Sequence, residues 1–216
     1  MSDQRPRLSM AGSAGLLLDV AGATFSEDSQ DRIQAAASAL KGAAGVRETV
    51  PGMNNLLVTF DPLAVEPEQM ERAILEAWDA AVPAPKKGRE WEVPVRYGGA
   101  GGPDLAEHAG FAGLSEDEAV ARFTAALYRV AAVGAMPGFV YLSGLDPKLA
   151  RPRRATPRNN VPEGAVMIGG AQAGIMPCTA PSGWHVIGRT EMKLFDPHRE
   201  PPATFRPGDR IRFVAR

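Results

Sequence analysis

Five cations, Lys148, Arg151, Arg153, Arg154 and Arg158, fall within eleven residues of the stretch PGFVYLSGLDPKLARPRRATPRNNVPEGAVMIGG, residues 137–170. Arginine presents a planar fork of N–H donors that suits carboxylate and phosphate oxygens. Pro152 and Pro157 restrict the backbone and help preorganise those forks. Glycine-rich stretches on either side, PGFVYLSG and GAVMIGGAQAG, let backbone approach a ligand closely. One reading is an anion pocket. The other is a solvated loop whose arginines pair with surface acids, and composition does not choose between them. Gln172, Trp184 and Arg189 sit on later strands or their turns. A tryptophan there is more often core than ligand platform. A cation amid apolar runs, such as Arg189 between Gly188 and Thr190, is paired or faces a cleft.

Other chemistry has weaker support. GGAGGPD, residues 98–104, is neither GxxxxGK[ST] nor GxGxxG between a strand and a helix, so it reads as a flexible turn rather than a phosphate loop. His108, His185 and His198 have no metal-ligand spacing with one another or with Cys178. Cys178, after Pro177 in a β-rich region, reads as a small buried residue rather than a nucleophile. Ser182 lies in PSGW, not GxSxG, so a serine-hydrolase triad is unsupported.

These residues need elements to position them. The 216 residues suffice for one large domain or two small ones with a real core. A net charge of −1 gives no global field toward nucleic acid or a membrane surface. No apolar run approaches the roughly 20 residues that span a bilayer, and MSDQRPRLSMAGSAG lacks an apolar core of signal-peptide length. With a single cysteine, the expectation is a soluble cytoplasmic protein. The 23 glycines and 19 prolines imply many turns and much β structure.

The first part alternates periods. GLLLDVAG predicts a strand. In SEDSQDRIQAAASALKG, Ile33, Ala36, Ala37 and Leu40 fall at helical spacing, with Asp28 or Ser29 as cap and Gly42 as stop. VRETV and NNLLVTFDP predict strands joined by a Pro51-Gly52 turn, and PEQMERAILEAWDA a second helix with Pro67 in its first turn. REWEVPVRYGG returns to alternation, completing the β-α-β-β-α-β order of the ferredoxin-like split βαβ pattern, with APKKGRE as a linker. Beyond it one helix stands out, SEDEAVARFTAALYRV, with a Ser115–Glu118 capping box. Short apolar runs punctuated by Gly and Pro then predict an antiparallel barrel or sandwich.

At this point the stretches MPGFVYLSGLDPKLARPRRATPRNNVPEGAVMIGGAQAGIMP, APSGWHVIGRTEMKLFD and PGDRIRF together resemble one family. It is the family of 5-oxoprolinase B subunits, also called allophanate hydrolase subunit 1 and the sporulation-kinase-inhibitor family. The module is also similar to part of the carboxyltransferase domain of urea carboxylase. NNLLVTFDP, VRYGGAGGPDLAEHAG and LYRV agree as well, so the resemblance covers about residues 10–214. It implies an α+β chain with a ferredoxin-like N-terminal domain, residues 1–89, and a cyclophilin-like antiparallel β-barrel, residues 90–216. The partners it implies are the A and C subunits of the same complex, the latter also cyclophilin-like, with a small-molecule substrate and ATP. The reaction implied is the opening of 5-oxoproline to L-glutamate with ATP hydrolysis, with no activity from the chain alone. The alternatives are a regulator that inhibits a sensor histidine kinase and a component of a urea or allophanate pathway.

Residue by residue, Pro137, Gly138, Phe139 and Tyr141 match the PGFxY loop. Arg153, Thr156, Pro157 and Arg158 match PRxxTPR, and Gln172, Trp184 and Arg189 match the later motif. Since arginine forks suit a transferring phosphoryl group, the expected oxyanion clamps are Arg153, Arg158 and Arg189. Gln172 and Tyr141 position substrate, Thr156 and Trp184 complete the substrate site, and Pro137, Gly138 and Phe139 shape the loop. Four positions depart from the pattern. Phe123 stands where a His is common, Arg96 where a small or thiol residue is usual, Met176 for Tyr, and Ser182 for Gly. An exposed barrel face awaiting its partner is open to self-association.

Overall fold

The computed structural model describes residues 6–82 and 88–216. Residues 84–87 of the expected APKKGRE linker, and the first five of the N-terminal stretch, lie outside them. The chain divides into two compact units, Met1–Lys86 and Lys87–Arg216.

The first unit runs β1 (Arg7–Met10), β2 (Gly15–Asp19), α1 (Glu27–Leu40), β3 (Val46–Pro51), β4 (Asn55–Phe60) and α2 (Pro67–Ala80). The strands form one antiparallel sheet in the order β1-β2-β4-β3. Alternate residues, Leu16, Leu18, Leu56, Val58 and Phe60, meet Ile33, Ala37, Ile74 and Trp78 from the two helices. Helix α1 is capped by Ser26, whose hydroxyl accepts from the Ser29 N–H, so the cap lies before Asp28 and Ser29. The Glu66–Gln69 capping box and Pro67 start α2.

The expected β-α-β-β-α-β order needs one correction. The segment read as its last strand, β5 (Glu90–Tyr97), pairs within the second unit, and the fourth place in the first sheet goes to β1 against β2. A strand's alternation says that it is half-buried, not which sheet takes it.

The second unit continues with α3 (Leu105–Ala112), α4 (Glu116–Ala125), β6 (Leu127–Val133), β7 (Val140–Ser143), β8 (Arg158–Val161), β9 (Ala165–Gly169), β10 (Gln172–Ile175), β11 (Ala180–Ser182), β12 (His185–Arg189) and β13 (Arg210–Ala215). Seven strands close a barrel in the order β10-β7-β6-β13-β5-β12-β9, and β8 and β11 form a separate two-stranded ribbon. The chain is therefore α+β with a closed barrel. Every barrel pairing is antiparallel except β5 with β13.

Alternation sorts the barrel residues. Val166 and Ile168 of β9 point into the main core with Val93, Val130 and Phe213. Ala165 and Met167 point outward, where Val161 and Trp184 cover them. Helix α4 begins at the Ser115–Glu118 capping box but stops at Ala125, five residues earlier than its sequence period suggests. LYRVAAV is strand β6 instead, because barrel pairing on both edges outweighs a helical continuation. Phe123 packs among Tyr97, Tyr128 and Phe213 in the barrel core. No helix among the described residues is long and apolar enough to cross a membrane.

Candidate functional site

The arginine segment lies between a 3₁₀ turn, Pro147–Leu149, and β8. Its backbone is pinned at successive points. Arg151 exchanges two main-chain hydrogen bonds with Gly170, and the Arg154 N–H donates to the Gly183 carbonyl at 2.7 Å. His108 Nε2 lies 2.9 Å from the Leu149 oxygen and His185 Nε2 lies 2.9 Å from the Pro152 oxygen. A carbonyl only accepts, so both imidazoles carry their proton on Nε2 when neutral.

The centre of the arrangement is a residue that motif reasoning passed over. Asp104 closes the GGAGGPD turn and is 2% exposed. Gly102 makes that turn feasible, because a Cβ there would collide with the Ile187 carbonyl. The Asp104 N–H donates to the Val186 oxygen at 2.9 Å, and its carboxylate accepts from the Val186 N–H at 2.7 Å. The same carboxylate accepts both outer nitrogens of Arg158, each at 2.6 Å, and Arg154 Nη1 at 3.2 Å. Burial pushes the Asp104 carboxyl up, but the Arg158 and Val186 hydrogen bonds and the two guanidinium charges outweigh it and hold it below its ordinary value.

Arg151 is tied differently. Its Nη2 lies 2.5 Å from Glu107 Oε1, and its guanidinium stacks 4.7 Å from the Phe111 ring. Arg153 is the arginine of this segment with no acid partner among the described residues. It lies over Trp184 at 5.5 Å. Three of these four arginines thus pair with acids, two of them with the buried Asp104, while the fourth stands open.

Beside this segment is a cleft of about 440 Å³, lined by Arg151, Arg153, Arg154, Thr156 and His185, with Glu107 and Phe111 on its α3 side. Arg153 and Thr156, both expected site residues, meet there. Arg158 turns its fork to Asp104 instead. Arg189 is apart: its Nε donates to the Glu163 oxygen, and it lines a small pocket with Arg96 and Glu191. Arg96 itself pairs with Glu191 at 2.9 Å.

The aromatic matches form their own cluster. Phe139 lies 4.9 Å from Tyr141 and 5.6 Å from Trp184, edge to face. Trp184 is mostly core, as its type suggests, but it also carries Arg153. Its indole packs against Gly169, where a side chain would not fit, and touches Gly174, which the Val140 carbonyl also crowds. Gly138 takes φ +84 and packs against Leu194 and Phe195, while Pro137 before it is exposed. Gln172 begins β10 opposite Gly169. Trp184, beneath Arg153, links the cluster to the cleft.

Cys178 is exposed rather than buried, with Sγ 3.7 Å from Met136 Sδ. No group of three His, Cys, Asp or Glu suited to a metal occurs among the described residues. Sequence reasoning missed Asp104, Glu107, Phe111 and the two histidines. The one signal was arithmetic: so many cations in one segment need acids from elsewhere.

The sequence pattern of the carboxyltransferase domain, subdomains C and D, matches residues 6–205. A relative from Escherichia coli O157:H7 named as a 5-oxoprolinase B subunit is 42% identical over 98% of this chain and 96% of its own length. The crystal structure of TTHA0988 is 36% identical with a TM-score of 0.81, over 94% of this chain and 39% of that longer one. The urea amidolyase of K. lactis, 17% identical, covers all of this chain and 15% of its own with a TM-score of 0.86, a likeness of fold. The chain belongs to the carboxyltransferase-domain family, subdomains C and D.

Proposed function

We propose that the chain is the B subunit of a 5-oxoprolinase, which together with its A and C subunits opens 5-oxoproline to L-glutamate while ATP is hydrolysed. The observation that carries this reading is the 42% identity, along almost the whole of both chains, to a protein named as that subunit of 5-oxoprolinase. The geometry agrees with it. 5-Oxoproline is a lactam bearing a carboxylate, and its amide carbonyl needs activation before water can open the ring. A phosphorylated amide oxygen supplies a leaving group, and cationic donors stabilise such groups best in a partly enclosed site.

In this reading the chain's part is to hold an anionic group in the arginine cleft. Arg153 serves as the clamp, Thr156 adds a hydroxyl, and Arg158 fixes the segment through Asp104. The donors of the cleft suit an oxyanion, and no nucleotide fingerprint accompanies them. The GGAGGPD turn, pressed on Ile187, leaves no open cradle for a phosphate chain. ATP is accordingly assigned to the rest of the complex. The cyclophilin-like and ferredoxin-like labels for the two domains, their boundary at residue 89, a cytoplasmic setting and self-association belong to the same proposal.

The test is glutamate release coupled to ATP hydrolysis, with this chain expressed beside its genomic partners and a control lacking it. The reading expects turnover only when the chain is present. An assembled complex that leaves 5-oxoproline untouched refutes it.

A further inference from the structure

We infer that the arginine cleft takes a tetrahedral oxyanion that still carries a proton, with hydrogen phosphate as its simplest form, and prefers it to a fully deprotonated oxyanion such as sulfate. The inference deepens the proposed function and rests on its reading of the cleft as the anion-holding part of the complex.

Charge is the first argument. Three guanidiniums line the cleft against one lining carboxylate, Glu107, which Arg151 already holds, while the charge of Asp104 behind Arg154 is balanced by Arg158. The remaining charge matches a dianion better than a monocarboxylate.

The donors are the second. Among the described residues Arg153 has no acid partner, and Arg151 Nη1 and Arg154 Nε are buried N–H groups with no acceptor. Buried donors without partners are rare and ask for an explanation. The side chains of Arg151 and Arg154 keep 15% and 28% of their surface exposed where they line the cleft, so an entering oxyanion meets both guanidiniums there. A tetrahedral oxyanion offers enough lone pairs for all three forks, where a carboxylate has two oxygens.

The acceptor is the third argument, and it sets the selectivity. His185 is 3% exposed and lines the cleft. In the neutral ring its Nε2–H is committed to the Pro152 carbonyl, which leaves a lone pair on Nδ1, and that buried atom has no partner among the described residues. An array of donors broken by one acceptor fits an oxyanion with one O–H. Sulfate would set an oxygen against the Nδ1 lone pair. The size of the cleft leaves room for the rest of a phosphorylated small molecule.

The experiment titrates the full chain, alone and in its complex, with sodium phosphate and with sodium sulfate at matched ionic strength by calorimetry. It is run at about pH 8, where phosphate keeps one proton and sulfate none. Phosphate is expected to bind at least ~10-fold more tightly than sulfate, since an unmatched buried polar group discriminates strongly. Arg153→Ala should weaken both anions by about 10-fold or more, as loss of a charged donor does. His185→Gln keeps an N–H for Pro152 and removes the Nδ1 acceptor, so phosphate should fall to the sulfate affinity while sulfate holds. If that variant does not fold, the wild-type ratio decides alone. Equal affinities, a preference for sulfate, or binding of neither anion overturns the inference. A complex that turns over 5-oxoproline while ignoring phosphate also overturns it and leaves the proposed function standing. Phosphate selectivity in an inactive complex supports the inference and removes the proposed function.

Discussion

Asp104→Ala removes a 2% exposed carboxylate that accepts two hydrogen bonds from Arg158, one from Arg154 and one from the Val186 N–H. Breaking a buried ion pair by deleting one partner costs about 3–5 kcal/mol when the other charge stays buried. Here the arginine side chains are 28% and 32% exposed, so both regain some water, and the loss falls at the lower end, about 3 kcal/mol. Asp104→Asn keeps an acceptor for Val186 but loses the charge, for about half that loss. In thermal unfolding the alanine change corresponds to a drop of roughly 6–12 °C. The pH dependence gives a second, independent readout. The folded carboxyl lies below its ordinary value, so its contribution is present above the unfolded value of about 4 and is lost as pH falls through the folded one. The gap between wild type and Asp104→Ala should therefore be full at neutral pH and narrow only below about pH 4. Urea unfolding followed by near-UV circular dichroism across that range measures both. A loss under about 1 kcal/mol at neutral pH, or a gap that widens in acid, would refute the account of Asp104 as the buried anchor of the arginine segment.

Three further outcomes follow from the packing. Gly169→Ala drives a Cβ into the Trp184 indole and should cost about 1–3 kcal/mol, with a changed near-UV signal from the displaced ring. Burial, the largest cause, together with His185 and Arg151, lowers His108 against the pull of the Leu149 carbonyl and Asp104. Because the folded value lies below the unfolded one of about 6.5, stability falls as pH drops through that range, by up to ~1.4 kcal/mol per pH unit. His108→Gln keeps an N–H for Leu149 and should flatten that slope in urea midpoints measured between about pH 6.5 and 5. Phe123→His introduces the histidine that the resemblance leads one to expect, but into a barrel core of Tyr97, Tyr128 and Phe213. It should destabilise by about 2–4 kcal/mol and add no turnover.

Local signals carried the helices of the first unit well. Ile33, Ala37 and Leu40, and Met70, Ile74 and Trp78, are buried at the spacing that predicts them. What local signals do not carry is the partner of a strand. Glu90–Tyr97 alternates as well as any segment, yet its neighbours β12 and β13 lie about a hundred residues away. The edge strand β1 is short and exposed, with little apolar pattern to show itself. Helix α3 escaped notice because LAEHAGFA carries glycine in its interior and a broad apolar face, so its period is faint. The same limit shaped the site. Arg153 and Thr156, which line the cleft, stand together in the PRxxTPR run, but Asp104 is 54 residues from Arg158, and only the fold joins them. Charge counting can say that a buried acid is needed; it cannot say which one.

The parallel pairing of β5 with β13 joins the first strand of the second unit to its last, Glu90 opposite Arg210 and Val95 opposite Ala215. During synthesis β5 therefore emerges more than a hundred residues before the strand that must lie beside it. Until then one edge of β5 offers bare main-chain N–H and C=O groups, and the apolar faces of Val93 and Val95 have no enclosing wall. Closure is a late, long-range event of high contact order, of the kind that slows folding. Loss of the last few strand residues would leave the barrel open rather than merely shortened.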